Sequence, residues 1–185
     1  MTAFFDILQK RRSTRVFEPR KVESEKQSLL LEAALRAPSS RGRNPWEFIV
    51  VEEPALLQQL GKAKLHGSAF LASAPLAVVV AADPARCDVW IEDVSIAAIL
   101  IQLAATALDL GSCWVQIRLR EHDSAGRSAN DYLVDLLGLP EGYQVGSIIG
   151  IGYPGEEKAG HDRAELGWKK LHRERFGRAL ILPQG

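Results

Sequence analysis

The 185-residue chain carries 23 basic residues (Lys and Arg) and 23 acidic residues, so its formal net charge at pH 7 is zero. This balance excludes the strongly basic proteins that bind nucleic acid or anionic lipid through their overall charge, and it leaves anion binding to local clusters. With 46% hydrophobic and 25% charged residues, the composition is that of a folded soluble protein. We predict a single domain over residues 1–185, because this length supplies one full hydrophobic core.

The cysteines and histidines show no spacing typical of a metal site. Cys87 and Cys113 form no CxxC pair, and the four histidines lie far apart along the chain. We therefore predict no bound metal. The N-terminus lacks a cationic segment ahead of an apolar core, so its pattern does not indicate a secretion signal. We predict a protein of the reducing cytoplasm.

The first elements along the chain are two helices. Residues 4–12 place apolar side chains at helical spacing and finish in a basic turn, which predicts a helix that ends near Ser13. A second helix is predicted over residues 25–36, with Ser24 as its N-cap and Pro38 closing the apolar run.

The rest of the chain alternates short strand patterns with helical ones, which indicates an α/β or α+β protein with helices on both faces of one sheet. The last segment, residues 167–183, begins basic and ends apolar, as expected of a tail that wraps over a neighbouring subunit. We predict strands over residues 46–52, 75–83, 112–119 and from 143 onward. We predict further helices over residues 54–65 and 128–139, and Ser128 or Asn130 caps the second of these.

Residues 90–110 form the most apolar segment. Between residues 94 and 108 only Ser95, Gln102 and Thr106 are polar. Uninterrupted apolar runs of about 18 residues span membranes, but polar residues interrupt this run and acidic residues flank it. We predict a buried central helix and no membrane partner. Because a helix that is apolar all round has more surface than one sheet can cover, we predict that the surplus packs against a second subunit.

The segment RRSTR forms a basic cluster at the predicted end of the first helix. Arg11 and Arg15 would share one face if the helix continued, and Ser13 could add a hydroxyl. Forked arginine donors match phosphate oxygens, so one interpretation is an anion site. The other is a solvated helix terminus, since basic residues are common in the last turn.

A polar ten-residue segment, 37–46, joins the second helix to the first strand. Ser39, Ser40 and Asn44 can donate hydrogen bonds, and Gly42 lets the backbone approach a ligand closely. Alone, this composition indicates either an ordinary connector or one wall of a ligand site.

Two later segments also carry polar or glycine-rich patterns. The predicted third strand places Gln116 and Arg118 on one face beside Trp114, which fits either a ring-binding surface or the polar side of a half-buried strand. Cys113 is more typical of a small buried residue than of a nucleophile. Residues 150–156 lack the third glycine and the following helix of a dinucleotide fingerprint, and instead indicate a strand end that turns away from the sheet.

In this order, five segments resemble the nitroreductase family of flavin enzymes. They are RRSTRVF, APSSRGRNPWEFIVV, ASAPLAVVVAAD, DVSIAAILIQLAATALDLGSCWV and GIGYPGEE, and together they cover most of the chain. The resemblance implies an α+β, nitroreductase-like fold with a central, mostly antiparallel sheet flanked by helices. It also implies an intertwined homodimer that binds FMN at the subunit interface and takes electrons from NADH or NADPH.

The resemblance further implies which residues contact FMN. Arg11, Arg12 and Ser13 would hold the phosphate and the ribityl chain. Arg15 would approach the pyrimidine edge of the ring, where a cation stabilises the negative charge that develops on reduction. The predicted cofactor-binding residues are Arg11, Arg12, Ser13, Arg15, Pro38, Ser39, Ser40, Asn44, Trp114, Val115, Gln116 and Arg173.

Within this set, Pro38, Ser39 and Ser40 would come from the other subunit, and residues 114–116 would lie against the ring and offer backbone donors near N5. Where the family usually has Asn and Gln in the serine segment, this chain has Gly42 and Asn44. The segment ahead of the second strand offers two candidates for a further flavin contact, His66 and Ser68. Lys169, Lys170, Arg173 and Arg175 are alternatives for a basic residue at the phosphate, with Arg173 favoured.

The resemblance implies an enzyme in which the flavin performs the redox step and no protein residue acts as acid, base or nucleophile. Donor and acceptor would use one pocket in turn, in a ping-pong cycle that reduces nitroaromatics, quinones or related small molecules. One alternative is a flavin-dependent dehydrogenase, dehalogenase or flavin-consuming enzyme with a dedicated metabolite. Another is a non-catalytic flavin-binding module.

Overall fold

A computed structural model describes residues 2–180 of the chain. Within this range, four strands form one sheet and α-helices pack on both of its faces. The helices are α1 (Ala3–Lys10), α2 (Ser24–Leu35), α3 (Pro54–Leu60), α4 (Trp90–Ala107) and α5 (Ala129–Leu137), and the strands are β1 (Trp46–Val51), β2 (Leu76–Ala82), β3 (Gly111–Gln116) and β4 (Gln144–Gly152).

The sheet has the strand order β1-β2-β4-β3, and every pairing in it is antiparallel. All seven residues of β2 are buried, as expected of a central strand that is covered on both faces. The strand β3 pairs with β4 along one side only, which leaves its other side as an edge of the sheet. The predicted α+β fold with a mostly antiparallel sheet is confirmed.

The hydrophobic core consists of two clusters, one on each face of the sheet. Helices α2 and α4 pack on the face that carries Val78 and Ile149, and helices α3 and α5 pack on the face that carries Val79 and Ile148. This division follows from the alternation of side chains along a strand. Each fully buried isoleucine contributes about 1.5–3 kcal/mol to folding. The prediction of helices on both faces of the sheet was correct.

Helix α1 ends at Lys10, before the predicted end near Ser13. Arg11 leaves the helical conformation with φ −58° and ψ 120°. Ser13 then forms a parallel bridge with Ser112, and the Thr14 N–H donates to the Ser112 carbonyl at 3.0 Å. The edge of β3 thus offers this backbone hydrogen bonds that compete with another helical turn. Consequently, Arg11 and Arg15 do not share a helix face.

Other boundaries also differ from the sequence prediction. Helix α2 has Glu23 as its N-cap rather than Ser24, whereas Ser128 caps α5 by accepting a hydrogen bond from the Asp131 N–H. Helix α3 stops at Leu60, five residues before its predicted end, with Gly61 as its C-cap. Strand β3 stops at Gln116, and the chain soon turns through Leu119, which has a left-handed φ of 59°.

Helix α4 packs its sheet-facing side closely and leaves another side exposed. Ala97, Ala98 and Ile101 are fully buried, whereas Ile96 and Ile99 are 36% and 39% exposed. The helix is long and apolar enough to cross a membrane, a test that the core helices of soluble proteins also pass. The buried central helix was predicted correctly for the side that faces the sheet, and the two exposed isoleucines are surplus apolar surface.

The chain continues after β4 as a C-terminal arm, defined here as residues 156–180. The arm contains two short 3₁₀ turns, Arg163–Glu165 and Trp168–Lys170. Residues 161–179 are all exposed, and the apolar side chain of Phe176 is 94% exposed. A single copy of the described chain therefore leaves apolar groups of the arm uncovered.

Candidate functional site

Residues 11–15 run in extended form beside the edge of β3, so their side chains alternate between two sides. Thr14 is buried and packs against Gly111, where an added Cβ would lie 2.8 Å from the Thr14 side chain. The Arg12 guanidinium points the same way and donates to the Ala159 carbonyl. One side of the segment is therefore occupied by contacts within the chain.

The side chains of Arg11, Ser13 and Arg15 point to the opposite side. Arg15 is exposed, and neither Arg11 nor Arg15 forms a salt bridge with another residue in the range 2–180. Two unpaired guanidinium groups thus flank one hydroxyl along an extended backbone. Such an array can bind an elongated ligand that carries negative charge at one end and polar groups along its length.

Arg11 lines a cavity of about 330 Å³ between α1 and the C-terminal arm. The arm contributes Arg163 and His161 to this cavity, and apolar side chains from both elements complete it. A second arginine therefore joins Arg11 at the end of the extended array. The lining residues are Phe5, Leu8, Gln9, Arg11, His161, Arg163 and Leu166.

Arg163 was missing from the sequence prediction, which favoured Arg173 among four basic residues of the arm. The only sequence signal for Arg163 is a basic residue within the polar run 156–165. Arg173 is exposed on the arm, where its N–H donates to the Arg178 carbonyl at 2.7 Å. Lys169, Lys170 and Arg175 are also exposed on the arm, and none of the four lines the Arg11 cavity.

The beginning of the arm fixes the backbone of residues 13–16. Lys158 Nζ donates to the Ser13 carbonyl at 3.0 Å and to Glu156 Oε1 at 2.6 Å. Glu156 Oε1 also accepts from the Arg15 N–H at 2.9 Å. These backbone and side-chain hydrogen bonds lower the pKa of Glu156. Neither residue was predicted, because only folding brings positions about 140 residues apart into contact.

Cys113 lies beside this array and is 1% exposed. Burial raises the pKa of the Cys113 thiol, against the opposing effects of the Arg15 charge and a hydrogen bond with Ser13. A thiol that is buried and hard to ionise is a poor nucleophile. The prediction of a small buried residue at this position is confirmed.

The edge of β3 presents backbone groups beyond the point where Thr14 pairs. The Ser112 carbonyl faces this edge, and in an antiparallel strand every second residue points its N–H and C=O the same way. The N–H groups of Trp114 and Gln116 therefore also face the edge, and no partner for them occurs in the described part of the chain. They can donate to the rim of a planar ligand.

The side chains of residues 114–116 have different surroundings. Trp114 is half-buried and its Nε1 donates to Gln116 Oε1 at 3.0 Å, which ties the two side chains together. Val115 is fully buried on the face of α3 and α5. Val115 alternates with Trp114 and Gln116 along the strand, so its N–H and C=O point towards β4 and it presents no backbone group to the edge.

Residues 37–45, termed the serine loop, form a closed turn. Ser39 Oγ donates to Asn44 Oδ1 at 2.6 Å and accepts from the Asn44 N–H at 2.9 Å. Arg41, Gly42 and Asn44 have left-handed φ values of 55°, 64° and 46°. Gly42 adopts this conformation without strain, and the Asn44 amide is engaged in closing the loop.

The serine loop is tied to α4 through a buried carboxylate. The Ser40 N–H donates to Asp93 Oδ1 at 2.9 Å, and the Cys87 thiol contacts Asp93 Oδ2 at 3.2 Å. Asp93 is 2% exposed. Asp93 was not predicted as a site residue, although its position in the first turn of an apolar helix is visible in the sequence.

The serine loop and the Arg11–Arg15 array lie at different edges of the sheet. The loop leads directly into β1, whereas the array borders β3, and these strands are the two edges of the sheet. Three strand spacings of about 4.8 Å separate them. A single chain therefore does not bring the exposed Pro38 and the half-buried Ser39 and Ser40 to Arg15.

The two candidates before β2 differ in availability. Ser68 is 1% exposed, and its hydroxyl donates to the Gly61 and Lys64 carbonyls at 2.9 and 3.3 Å. Its donor capacity is thus used within the chain. His66 is exposed and lines a cavity with Lys64 and Arg120.

Comparison with known proteins agrees with this geometry. The model of the nitroreductase family matches residues 8–69 and 58–153. A protein of Archaeoglobus fulgidus, named "Putative NADH dehydrogenase/NAD(P)H nitroreductase", is 36% identical over 171 residues, which are 90% of this chain and 94% of the relative. The chain belongs to the nitroreductase family.

Solved structures of other nitroreductases share its fold. An FMN-dependent nitroreductase of Clostridium difficile R20291 is 46% identical and superposes with a TM-score of 0.91, covering 93% of this chain and 99% of that one. A nitroreductase of Desulfitobacterium hafniense with bound FMN is 25% identical with a TM-score of 0.70, covering 91% and 98%. The family assignment and the fold predicted from five sequence segments are confirmed, and this nitroreductase is an oxidoreductase.

Proposed function

We propose that this nitroreductase is an FMN-dependent enzyme that accepts electrons from NADH or NADPH and passes them to nitroaromatics, quinones or related small molecules. The observation that carries the proposal is the one-sided array of Arg11, Ser13 and Arg15 beside the open edge of β3. Its support from relatives is that similar proteins are named FMN-dependent, hold bound FMN, or are named for NADH and NAD(P)H.

The donor set fits FMN along its whole length. Arg11 and Arg163 supply forked cationic donors for a phosphate. Ser13 supplies a hydroxyl at the level of a ribityl chain, and Arg15 supplies a cation for the pyrimidine edge. The edge-facing N–H groups of Trp114 and Gln116 supply donors for ring atoms. Three further predicted residues stay in the proposed site without contacting FMN, because they hold its segments in place: Arg12, Val115 and Asn44.

Bound FMN would supply the acceptance and release of an electron pair, which no side chain of this site can perform. The chain's own contribution is position and charge. Arg15 keeps a fixed positive charge where negative charge develops on reduction, which favours the reduced state. The buried Cys113 thiol next to it stays neutral and adds no competing negative charge. We therefore propose no acid, base or nucleophile from the protein.

We also propose that the functional unit is a homodimer in which each copy's serine loop reaches the other copy's array. Within one chain, Pro38, Ser39 and Ser40 lie too far from Arg15 to act together with it. The exposed Ile96 and Ile99 of α4 and the exposed arm provide apolar surface for a second copy. Arg173 does not line the Arg11 cavity of its own chain and would join the phosphate site of the other copy. We further propose that the chain is a single cytoplasmic domain that binds neither nucleic acid nor membranes.

The function is tested by spectroscopy followed by kinetics. Purified protein should show a flavin spectrum, or gain one on incubation with FMN, and anaerobic NADH or NADPH should bleach it within the turnover time. Acceptor and donor varied together should give parallel double-reciprocal lines, as expected of ping-pong kinetics. Protein that remains colourless with excess FMN would contradict the proposal. Flavin that only a dedicated metabolite reduces would favour the alternative of a metabolite-specific flavoenzyme.

A further inference from the structure

A second group of cations lies near the β3 edge, outside the array of Arg11, Ser13 and Arg15. It lines a cavity of about 390 Å³ between the loop after α3 and the turn after β3. The loop contributes Lys64 and His66, and the turn contributes Arg120. The complete lining is Lys64, Leu65, His66, Leu119, Arg120 and Glu121.

The charge of Lys64 is not balanced by an acidic partner. Burial lowers the pKa of the Lys64 ammonium, and the positive charges of Arg120 and then Arg15 lower it further. Within residues 2–180, no carboxylate forms a salt bridge with Lys64 or Arg120, and Glu121 is no exception. Lys64 is half-buried and Arg120 is exposed, and the two line the same cavity, so an anion bound between them would offset their like charges.

The walls of this cavity are held in place by hydrogen bonds between its two segments. The Leu65 N–H donates to the Glu121 carbonyl at 3.2 Å, and His122 Nδ1 lies 2.9 Å from the Lys62 carbonyl. The Arg120 carbonyl accepts from the Ala129 N–H of α5 at 2.8 Å. The two cations are thus carried on a fixed backbone, which lowers the entropy lost when a ligand binds.

The cavity adjoins the proposed ring end of the FMN site. The turn that carries Arg120 follows β3 directly, and Lys64 is close enough to Arg15 of the array for the arginine charge to lower its pKa. Leu119 is 77% exposed at the same cavity and adds an apolar surface. A ligand with a flat or apolar body at the ring and an anionic group in the cavity would match both features.

We propose that Lys64 and Arg120 bind an oxyanion of the substrate, a carboxylate or a phosphate, and thereby make this enzyme prefer anionic substrates over neutral ones of the same shape. The proposal rests on the proposed function, because it assumes that the substrate reacts at the ring end of the array. His66 lines the same cavity and can add an N–H donor from its imidazole ring. A carboxylate would come from the acceptor, and a phosphate would come from NADPH.

The test compares matched substrates in the flavin-loaded enzyme. The acceptors are 4-nitrobenzoate and 4-nitrobenzamide, and the donors are NADPH and NADH, each pair differing in one anionic group. Lys64→Gln should raise the KM for the anionic member of at least one pair about tenfold, the loss expected for one hydrogen bond to a charged group. Arg120→Gln should act in the same direction, and kcat should change less than KM.

Two further variants separate charge recognition from structure. Lys64→Arg should restore most of the preference, because it keeps the positive charge. Lys62→Gln removes an exposed cation of the same loop that does not line the cavity, and should leave the preference unchanged. A rise in KM that is equal for anionic and neutral members would overturn the proposal, as would an effect of Lys62→Gln as large as that of Lys64→Gln.

A binding measurement keeps this proposal separate from the proposed function. Calorimetric titration with benzoate and with benzamide requires neither turnover nor reduction. Tighter binding of benzoate that Lys64→Gln and Arg120→Gln abolish would support the anion site even if FMN failed to bind, in which case only the proposed function would be wrong. Equal binding of the two compounds, together with equal KM values for NADPH and NADH, would refute the anion site while leaving the flavin function intact.

Discussion

Arg11 and Arg12 are neighbours in the sequence, yet the structure gives their side chains different surroundings. Arg12 donates to the Ala159 carbonyl, so its guanidinium holds the arm against the N-terminal segment. Arg11 instead enters the cavity that it shares with Arg163. At the scale of single residues, the extended conformation of 11–15 decides which arginine is available to a ligand.

We predict that Arg11→Ala weakens FMN binding by about 1.5–3 kcal/mol, the range for a hydrogen bond to a charged group. Fluorescence titration of the flavin measures this loss. Lys10→Ala is the matched control, because it removes the preceding cation, which lines a different cavity from Arg11. Equal affinities of the wild type and the Arg11 variant would remove Arg11 from the phosphate site.

Glu23 forms a polar cluster at the start of α2. Glu23 Oε2 accepts from the Tyr153 hydroxyl at 2.7 Å, and Glu23 Oε1 accepts from Arg20 at 2.6 Å. The Tyr153 hydrogen bond is the main cause that lowers the pKa of Glu23 from its ordinary 4.5 to about 2, with Arg20 adding to it. Because the folded pKa is depressed, ionised Glu23 stabilises the fold above about pH 4.5, and this stabilisation is lost as pH falls towards 2.

We predict that Glu23→Gln makes the free energy of unfolding less sensitive to pH between 4.5 and 2. Urea denaturation at several pH values across this window measures the effect. Glu25→Gln serves as the control, since Glu25 is an exposed acid of the same helix. If the two variants show the same dependence of the unfolding free energy on pH, the Tyr153 contact does not couple to folding.

The sequence indicated some residues of the candidate site and could not indicate others. One short motif contains Arg11, Ser13 and Arg15, so the local sequence was enough to indicate an anion site there. Lys158 reaches Ser13 across 145 positions, and Lys64 comes near Arg15 only through the fold. Basic residues of these kinds are common on surfaces, and nothing in their local sequence separates them from solvated lysines.

At the scale of elements, the serine loop and helix α4 act as one unit. Asp93 in the first turn of α4 accepts the Ser40 N–H, and Arg43 and Arg86 each donate to the other's carbonyl at 3.4 and 3.5 Å. The loop therefore has two attachments to the region before and within α4. Both attachments help to hold a turn that contains three left-handed residues.

We predict that Asp93→Ala destabilises the protein by about 1–3 kcal/mol, because the Ser40 N–H loses its partner. Asp93→Asn keeps an acceptor oxygen and should lose less. Thermal unfolding of both variants, with flavin content per subunit, measures the change. Glu92→Ala is the control, since it removes an adjacent exposed acid of the same helical turn. If Asp93→Ala and Glu92→Ala lose equal stability, the contribution is only that of a helix-dipole charge.

The elements themselves were largely predictable, because strongly periodic or uniformly apolar runs gave β2, α4 and β4 close to their observed bounds. The errors lie at ends. Helix α1 was predicted too long because its sequence remains helix-compatible, while the competing hydrogen bonds come from β3, about 100 positions away. Local sequence cannot display a competitor of that kind.

At the scale of the whole molecule, one chain leaves the proposed site incomplete and apolar surface exposed. The serine loop and the arginine array lie at different sheet edges. Ile96 and Ile99 lie one turn apart on α4 and are both more than one-third exposed. The proposed symmetric dimer would cover these isoleucines and bring the two halves of each proposed site together.

We predict that Ile99→Asp yields a folded monomer with little bound flavin. A charge at this position remains solvated in the single chain, but it would be buried without a partner in a dimer interface. Sedimentation, circular dichroism and flavin absorbance measure the three properties. Ile101→Asp is the matched comparison on the same helix, because Ile101 is fully buried, and this variant should fail to fold. A dimeric, flavin-loaded Ile99→Asp protein would refute an interface at this face.

The extended run of residues 11–15 also limits how the chain can vary in length. Neighbouring side chains there face opposite sides, so one residue inserted between Arg12 and Ser13 would exchange the sides that Arg11 and Arg12 face. Arg12 would then face the ligand, two positions before Ser13 as Arg11 is now, and Arg11 would face the arm one position further from it. A substitution in this segment changes the contacts of one side chain, whereas such an insertion changes the contacts of both arginines.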